Sequence, residues 1–378
     1  MIEYDAVIVG GGPVGAMLGV MLASTGRSVA VIEARSTPGR DSRMLALSWG
    51  TRLIFESMGV WADLPVTPIT SISVSQQNGF GRVHFSAEEL DFPALGYVVR
   101  YADLEYHVLK VLRQHQGGLI EGFRIDRFEQ GFSKVRLYSG QQYFDARLAV
   151  FADGGKLAWE HGAIQMREKK YAEYALVARV TLEEPARGDA HERFTARGPL
   201  ALLPSGPDYA LVWALEPEKA EAYCNLESGL FLKYLNSELD KYLPSAIRVD
   251  YRSVFPLFLR EARSPIAHRI ALIGNAAQTL HPVAGQGFNL GIRDARDLAQ
   301  TLIHAEQDWG ESSVLRQYAN LRRVDSSAGL WWTDHLIEWF GSNNPVIASG
   351  RGVGLAALEM LPILRRWVSR KMIFGWRG

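Results

Sequence analysis

DAVIVGGGPVGAMLGVMLASTGRSVAVIE, residues Asp5 to Glu33, is the stretch whose reading decides the fold. Asp5 to Val9 is β-branched and apolar, the texture of a short buried strand. Gly10-Gly11-Gly12-Pro13-Val14-Gly15 follows at once and satisfies G-x-G-x-x-G. A helical run from Ala16 to about Thr25 comes next, Gly26-Arg27 breaks it, and Val29 to Glu33 reads as a second strand ending in an acid. A lone glycine triplet carries little weight, but strand, turn, helix, second strand and terminal acid together describe a dinucleotide-binding unit. Gly10 permits the tight turn, Gly12 lets the backbone approach a pyrophosphate, and Gly15 lets the helix pack close to the sheet. Gly19 and Ala23 continue that small-residue face at four-residue steps. The phosphates are expected at the helix N-terminus beside Pro13, where free N–H groups and the helix dipole favour anions. Glu33 is placed to accept hydrogen bonds from ribose hydroxyls and disfavours a 2′-phosphate.

The bulk numbers are consistent with a folded, soluble or peripheral protein. The chain has 378 residues, which suggests two domains, and 47% hydrophobic residues, which favours a folded over a disordered chain. Its net charge of zero gives no global field for nucleic acid. A single cysteine, Cys224, makes no internal disulfide and no metal cluster, so a reducing, cytoplasmic compartment and no metal site are expected. The N-terminus lacks the basic start of a signal peptide, and no uncharged apolar run reaches bilayer length.

Further along, Arg35, Arg40 and Arg43 follow the second strand. Arg35 and Arg43 are candidates for a cofactor phosphate or ring edge; a solvated loop arginine is the other reading of Arg43. Segments 69–75 and 82–85 read as short strands, and Arg100 to Leu112 has helical periodicity, with Leu104, Val108, Val111 and Leu112 on one face. Arg147 to Phe151 is another buried strand. It ends in Ala152-Asp153-Gly154-Gly155, a turn with an acid at the strand's carboxyl end, the edge where open α/β sheets bind ligands. From Tyr174 to about Val254 the texture changes to strands at 175–180, 200–203 and 209–213 with a charged helical stretch over 215–243, the pattern of an inserted, mostly antiparallel domain.

The second informative stretch is GNAAQTLHPVAGQGFNLGIRDA, Gly274 to Ala295. It follows a strand over 269–273, is interrupted at His281-Pro282, and opens a helix at Gly285-Gln286-Gly287, with Phe288, Ile292, Ala295, Ala299 and Leu302 on one face. A second helix N-terminus flanked by glycines is thus expected at the same sheet edge as the first. Its positive end suits the negative charge of a reduced flavin near N1 and the C2 carbonyl.

With these motifs in view, the chain resembles the single-component, FAD-dependent aromatic hydroxylases, the group A flavoprotein monooxygenases. The resemblance rests on Gly10/Gly12/Gly15, Asp153-Gly154, and Gly274-Asn275 followed by Pro282 and Gly285-Gln286-Gly287, and it covers most of the chain. Asn275 stands where the wider family has Asp, Gln278 where many members have His, and Gly155-Lys156 where many have Ser and then Arg. The late motif, Gly198 to Pro204, Leu211-Val212-Trp213 and the tail look like one branch in particular, the 2-polyprenyl-6-methoxyphenol hydroxylases of ubiquinone biosynthesis. The resemblance implies an α/β fold: a Rossmann-type FAD-binding domain (1–68, 98–170 and 262–330) interleaved with an α+β substrate domain on a mostly antiparallel sheet (69–97 and 171–261), plus C-terminal helices (331–378). It also implies non-covalent FAD, NAD(P)H as transient reductant, O₂ as co-substrate and a flavin C4a-hydroperoxide as oxygen donor to a polyprenyl phenol.

By position, Glu33 is then expected on ribose, Asp153 and Asn275 near the pyrophosphate and ribityl chain, and Pro282 to Asn289, including Gly285, Gln286, Gly287 and Phe288, around the isoalloxazine. Gly10, Gly12, Pro13, Gly15, Arg35, Arg43, Gly154 and Gly274 complete the expected cofactor set. Pro282 and His281 are the catalytic candidates, with His281 alternatively a structural histidine and no residue declared as the base. Residues 331–378 hold five of the ten tryptophans, and from Arg351 onward there are six basic residues and one acid. Two readings of this tail stand together: a peripheral contact with a membrane or with other ubiquinone-biosynthesis proteins, and a helical pair packed on the FAD domain. A hydroxylase of another ring position or another hydrophobic phenol, and a flavin-binding scaffold without turnover, are the alternatives; a flavin-dependent halogenase is disfavoured by the absence of a W-x-W-x-I-P stretch.

Overall fold

A computed structural model describes residues 3–37, 39, 41–77, 79–115, 118–239, 243–280, 286–323, 325 and 345–375, with side chains from residue 350 in the last segment. The first strand, Glu3–Val9, lies between Val29–Glu33 and Gln142–Phe151, parallel to both. Ile270–Leu272 extends the parallel set beyond Gln142–Phe151, and Leu119–Glu121 extends it beyond Val29–Glu33. Helices cover one face and a second apolar cluster covers the other. Ala6 and Ile8 pack with the helices, whereas Val7 and Val9 pack with Phe128, Leu137 and Phe151. Burial on both faces is why this strand reads as a continuous apolar run rather than an alternating one.

The first helix, Pro13–Leu22, is buried along nearly its whole length. It is held against the sheet by contacts closer than a side chain allows: a Cβ on Gly15 would stand 2.1 Å from the Gly10 carbonyl oxygen, and one on Gly19 would stand 2.6 Å from Val31 Cγ2. The helix Tyr101–Gln114 and the late helix Gln286–Ile303 flank it. Leu104, Val108 and Leu112 are buried, as their spacing predicts; Val111 is only partly so.

The second sheet has eight strands in the order Gln278–Thr279, Ala246–Ala262, Met166–Leu182, Asp208–Leu215, Gly198–Ser205, Asp189–Thr195, Ser71–Gln76, Arg82–Ser86. All neighbours are antiparallel except Asp189–Thr195 and Ser71–Gln76, which run parallel. One face of this sheet presents Leu176, Leu200, Leu202, Leu211 and Trp213 to the helices Pro217–Asn225 and Ser228–Glu238, which supply Ala220, Phe231 and Leu235. The opposite face looks toward the first sheet. A three-stranded sheet, Met44–Ser48, Gly96–Arg100 and Val66–Ile69, stands between them.

The helices Pro345–Met360 and Pro362–Phe374 close the remaining side. Leu355, Val368 and Ile373 share a cluster with Val83 and Phe85 of the second sheet and with Trp49 of the helix Trp49–Ser57. Arg365 clamps this contact, donating from Nε (2.9 Å) and Nη2 (2.8 Å) to the Glu89 carboxylate. The tail thus packs on the second sheet as well as on the helix Trp49–Ser57. Trp331, Trp332, Trp339 and Trp376 lie outside the described residues. Among the described residues no helix is long and apolar enough to cross a membrane.

Candidate active site

A cavity of about 1200 Å³ opens where the carboxyl ends of the parallel strands face the second sheet. Gly10, Gly12, Pro13, Arg35 and Arg43 line it from the front of the chain, Asp153 and Gly154 from the middle, and Gly274, Asn275, Gly287 and Phe288 from the late motif. Three turns more than a hundred residues apart in sequence therefore share one wall. Gly15, Glu33, Gln286 and Asn289 stand behind that wall rather than on it, and His281, Pro282 and Gly285 lie outside the described residues.

The residues behind the wall shape it. Glu33 Oε2 accepts from the Gly11 N–H at 2.7 Å, and Oε1 accepts from the Arg35 N–H at 3.0 Å and Arg35 Nε at 2.8 Å. Those donors hold the Glu33 carboxyl below its usual range against the opposing effect of burial. Arg35 Nη2 also donates to Glu105 Oε1 at 2.7 Å. Arg43 is held by Asp41, lies 5.5 Å over the Tyr101 ring and lines the cavity while its side chain stays exposed. Asn289 joins distant elements: Nδ2 donates to the Ala46 carbonyl, and Oδ1 accepts from the Ser48 N–H and the Thr51 hydroxyl, each at 2.8 Å. Its amide is thereby committed to fixing the strand Met44–Ser48 against the late helix.

Sequence reasoning missed the residue that anchors the late motif. Asp294, fully buried on the helix Gln286–Ile303, accepts from the Gly274 N–H and from Gln278 Nε2, both at 2.9 Å. Arg322 Nε stands 2.6 Å from its other oxygen, and Arg322 Nη1 donates to Asp297 at 2.9 Å. Burial pushes the Asp294 carboxyl up to about 6 even beside Arg322. An acid within a helical apolar pattern, five residues past Asn289, was the available signal.

The glycines on the wall separate into two kinds. Gly10 is enclosed by the protein, since a Cβ there would lie 2.8 Å from the Ala152 backbone. At Gly12 a Cβ would meet only the Tyr101 hydroxyl at 3.3 Å, at Gly287 only Leu280 at 3.8 Å, and at Gly154 nothing within 4 Å. At Gly12 and Gly287 the protein itself does not demand bare backbone, and a flat or phosphate-bearing ligand pressed against them would; at Gly154 the positive φ of 88° favours glycine by itself. With a helix N-terminus at Pro13 on one side and one at Gln286 on the other, the donor set suits an anionic, extended cofactor.

The far end of the cavity has a different character. Ile69, Ile72, Val83, Phe85 and Phe194 line it, with Leu355, Leu358, Val368 and Met372 supplied by the two C-terminal helices. Two charged residues interrupt this apolar chamber. Arg351 comes from the helix Pro345–Met360, and burial lowers its pKa. Glu192 comes from the strand Asp189–Thr195, which the sequence reading did not recognise. Burial alone raises the Glu192 carboxyl to about 7. The residue is half-buried and lines the cavity. No group of metal-ligating side chains occurs among the described residues.

Comparison with known proteins agrees with this geometry. Residues 3–328 match the family model described as an FAD binding domain. A ubiquinone hydroxylase of Rhodospirillum rubrum is 33% identical over 380 residues, covering 97% of this chain and 88% of that protein. The 3-demethoxyubiquinol 3-hydroxylase of Escherichia coli is 30% identical over 390 residues, covering 96% of each. Among solved structures, the p-nitrophenol 4-monooxygenase of Pseudomonas putida DLL-E4 superimposes with a TM-score of 0.82 over the full length of both chains at 18% identity, a likeness of fold. The chain belongs to this FAD-binding family and is an FAD-dependent monooxygenase.

Proposed function

We propose that this protein hydroxylates the aromatic ring of a polyprenyl phenol, of the 2-polyprenyl-6-methoxyphenol type, in ubiquinone biosynthesis, with NAD(P)H and O₂ as co-substrates. The observation that carries the reading is the continuity of one cavity: its glycine-lined end suits FAD and its apolar end suits a hydrophobic ring with a long tail. The two ubiquinone-pathway relatives favour this substrate class over other phenols.

The chain's own residues then have definable tasks. The backbone at Gly10 to Gly12 and the N-terminus of the first helix face the pyrophosphate, with Pro13 at a position where a missing N–H costs nothing. Glu33 Oε2 keeps an acceptor site for a ribose hydroxyl while it braces Gly11, Oε1 being taken up by the two donors of Arg35. Asp153, Asn275 and Gly274 line the route from pyrophosphate to ring, and Gly287 and Phe288 bound the ring beside the N-terminus of the late helix. FAD, once reduced, supplies the oxygen-activating chemistry. The apolar chamber excludes water and holds the phenol against that end.

Membrane contact belongs to the same proposal. Met360, Ile363 and Trp367 are 78%, 86% and 48% exposed on the two C-terminal helices, next to Arg366 and Arg370, while Leu355, Leu358, Val368 and Met372 of the same helices line the chamber. A lipid-borne substrate would enter beside a surface that rests on its lipid.

The test has two stages. The purified protein is expected to be yellow and to oxidise NADPH faster when a hydrophobic phenol is added. Complementation of bacteria lacking each quinone-ring hydroxylase separately, with the accumulated intermediates identified by mass, then assigns the ring position. A yellow protein that no phenol stimulates and that restores none of the strains would leave a flavin-binding scaffold as the better reading.

A further inference from the structure

Glu192 stands in the middle of a row of side chains that crosses the second sheet. Val83, Val74, Glu192, Ala201 and Val212 are successive cross-strand partners, and all five line the cavity. On its own strand the positions two before and two after, Ala190 and Phe194, face the same way. Every neighbour in this row is apolar. Its carboxyl has no hydrogen bond and no ion pair among the described residues. The adjacent acid, Asp189, is spent outside the row, accepting from His191 Nε2 at 2.6 Å and the Tyr209 hydroxyl at 2.7 Å.

A carboxyl in an apolar wall without a partner weakens the fold and adds nothing to packing, so its position calls for a ligand. Its raised pKa, about 7, matches the range in which a carboxylate is an effective proton acceptor near neutral pH. The other titratable or charged groups on the cavity wall are Arg35, Arg43, Tyr101 and Asp153 at the cofactor end, His191 held by Asp189, and Arg351 from the C-terminal helix.

We propose that Glu192 receives the substrate's phenolic hydroxyl: its carboxylate accepts the O–H hydrogen bond, fixes the ring in the chamber and takes the proton as the ring is hydroxylated. The O–H bond breaks, its electron pair stays on the phenolic oxygen and enriches the ring, and the proton resides on Glu192. When the ring carbon that gained oxygen passes its own proton to water and aromaticity returns, Glu192 gives its proton back to the phenolate oxygen. No further oxidant or reductant enters this exchange. The inference rests on the reading of the site as that of a phenol hydroxylase.

The test uses the FAD-loaded protein, an octyl-substituted phenol and the methyl ether of the same phenol, with binding followed by flavin fluorescence at pH 8. The wild type is expected to hold the phenol about tenfold more tightly than the ether, the contribution of one charge-assisted hydrogen bond. Glu192→Leu is expected to abolish that preference while still binding the ether. In turnover, kcat/KM of the wild type should fall as pH drops through about 7, and Glu192→Gln should lose that limb. FAD content of each variant controls for folding. Preference for the phenol retained in Glu192→Leu, or the acid limb retained in Glu192→Gln, would overturn the assignment. A wild type that binds neither probe would instead overturn the phenol-hydroxylase reading itself.

Discussion

Gln278 donates its side-chain N–H to Asp294 Oδ2 at 2.9 Å, on the same oxygen that accepts the Gly274 N–H. One carboxylate thus fixes both ends of the turn that carries Asn275 onto the cavity wall. Asp294→Ala removes this anchor and takes one of the carboxylates from Arg322, which keeps Asp297 and Asp325, so it is expected to cost roughly 3 kcal/mol, the low end for loss of one partner of a buried pair. Gln278→Leu leaves one acceptor partly unused and should cost about 1–3 kcal/mol. Urea unfolding of the two variants checks the order; equal losses would show that Gln278, not Arg322, carries the coupling.

The glycines offer a sharper contrast. A Cβ at Gly15 collides with the Gly10 carbonyl at 2.1 Å, whereas one at Gly12 meets only the Tyr101 hydroxyl at 3.3 Å. Gly15→Ala should therefore destabilise the protein with or without FAD, by about 1–3 kcal/mol for an overpacked contact. Gly12→Ala should leave the apoprotein's melting temperature nearly unchanged and lower FAD affinity. Thermal melts of apoprotein, set beside FAD titrations, separate the two effects. A Gly12→Ala apoprotein as damaged as Gly15→Ala would mean that the loop, and no ligand, requires glycine there.

These contrasts mark what could be read from the chain and what could not. The turn at Gly10 to Gly15 and the Asp153-Gly154 and Gly274-Asn275 turns were legible because glycine and strand-end acids leave local signals, and the structure brings all three to one wall. The roles of Asn289 and Asp294 were not, since each bonds to elements remote in sequence: Asn289 reaches Ala46 and Ser48, and Asp294 reaches Arg322. The strand Asp189–Thr195 hid for a related reason. Its residues alternate charged and polar groups on one side with Ala190, Glu192 and Phe194 on the other, so the acid in the apolar set masks the period. The long strands Met166–Leu182 and Ala246–Ala262 carry register shifts that break alternation in the same way.

Glu192 makes stability depend on pH in a direction opposite to that of a salt-bridged acid. The unfolded chain ionises it near the ordinary 4.5, while the folded chain retains the proton up to about 7. Between these values the unfolded state alone has released the proton, so stability falls as pH rises through that window and stays lower above it. Glu192→Gln removes this contribution. Relative to wild type, the variant should gain about 3 kcal/mol on going from pH 5 to pH 8. Urea titrations of both proteins at the two pH values, without phenol, give the difference directly, and parallel pH profiles would contradict it.

Asn275 is exposed and lines the cavity, and among the described residues its side chain has no bond that an acid would break. Asn275→Asp should therefore keep FAD bound, with the cofactor measured by its absorbance after gel filtration. Loss of FAD in this variant would show that a second negative charge beside Asp153 is not tolerated and would count against placing Asn275 next to the cofactor chain.

The outer face of the C-terminal helices yields the last test. Ile363 is 86% exposed and Trp367 48%, with Arg366 between them, while Val368 and Ile373 on the inner face are buried. Placing glutamates on the outer face therefore spares the chamber wall. For a membrane-resting surface, each buried apolar group lost weakens binding, and an added acid also opposes anionic lipid. Ile363→Glu with Trp367→Glu should reduce flotation with anionic liposomes about tenfold or more, an effect of at least 1.4 kcal/mol. Turnover of a short-chain phenol in detergent should be preserved, because the residues that line the cavity are unchanged. Flotation equal to that of wild type would remove the membrane from the function of these helices and leave them as the lid of the substrate chamber alone.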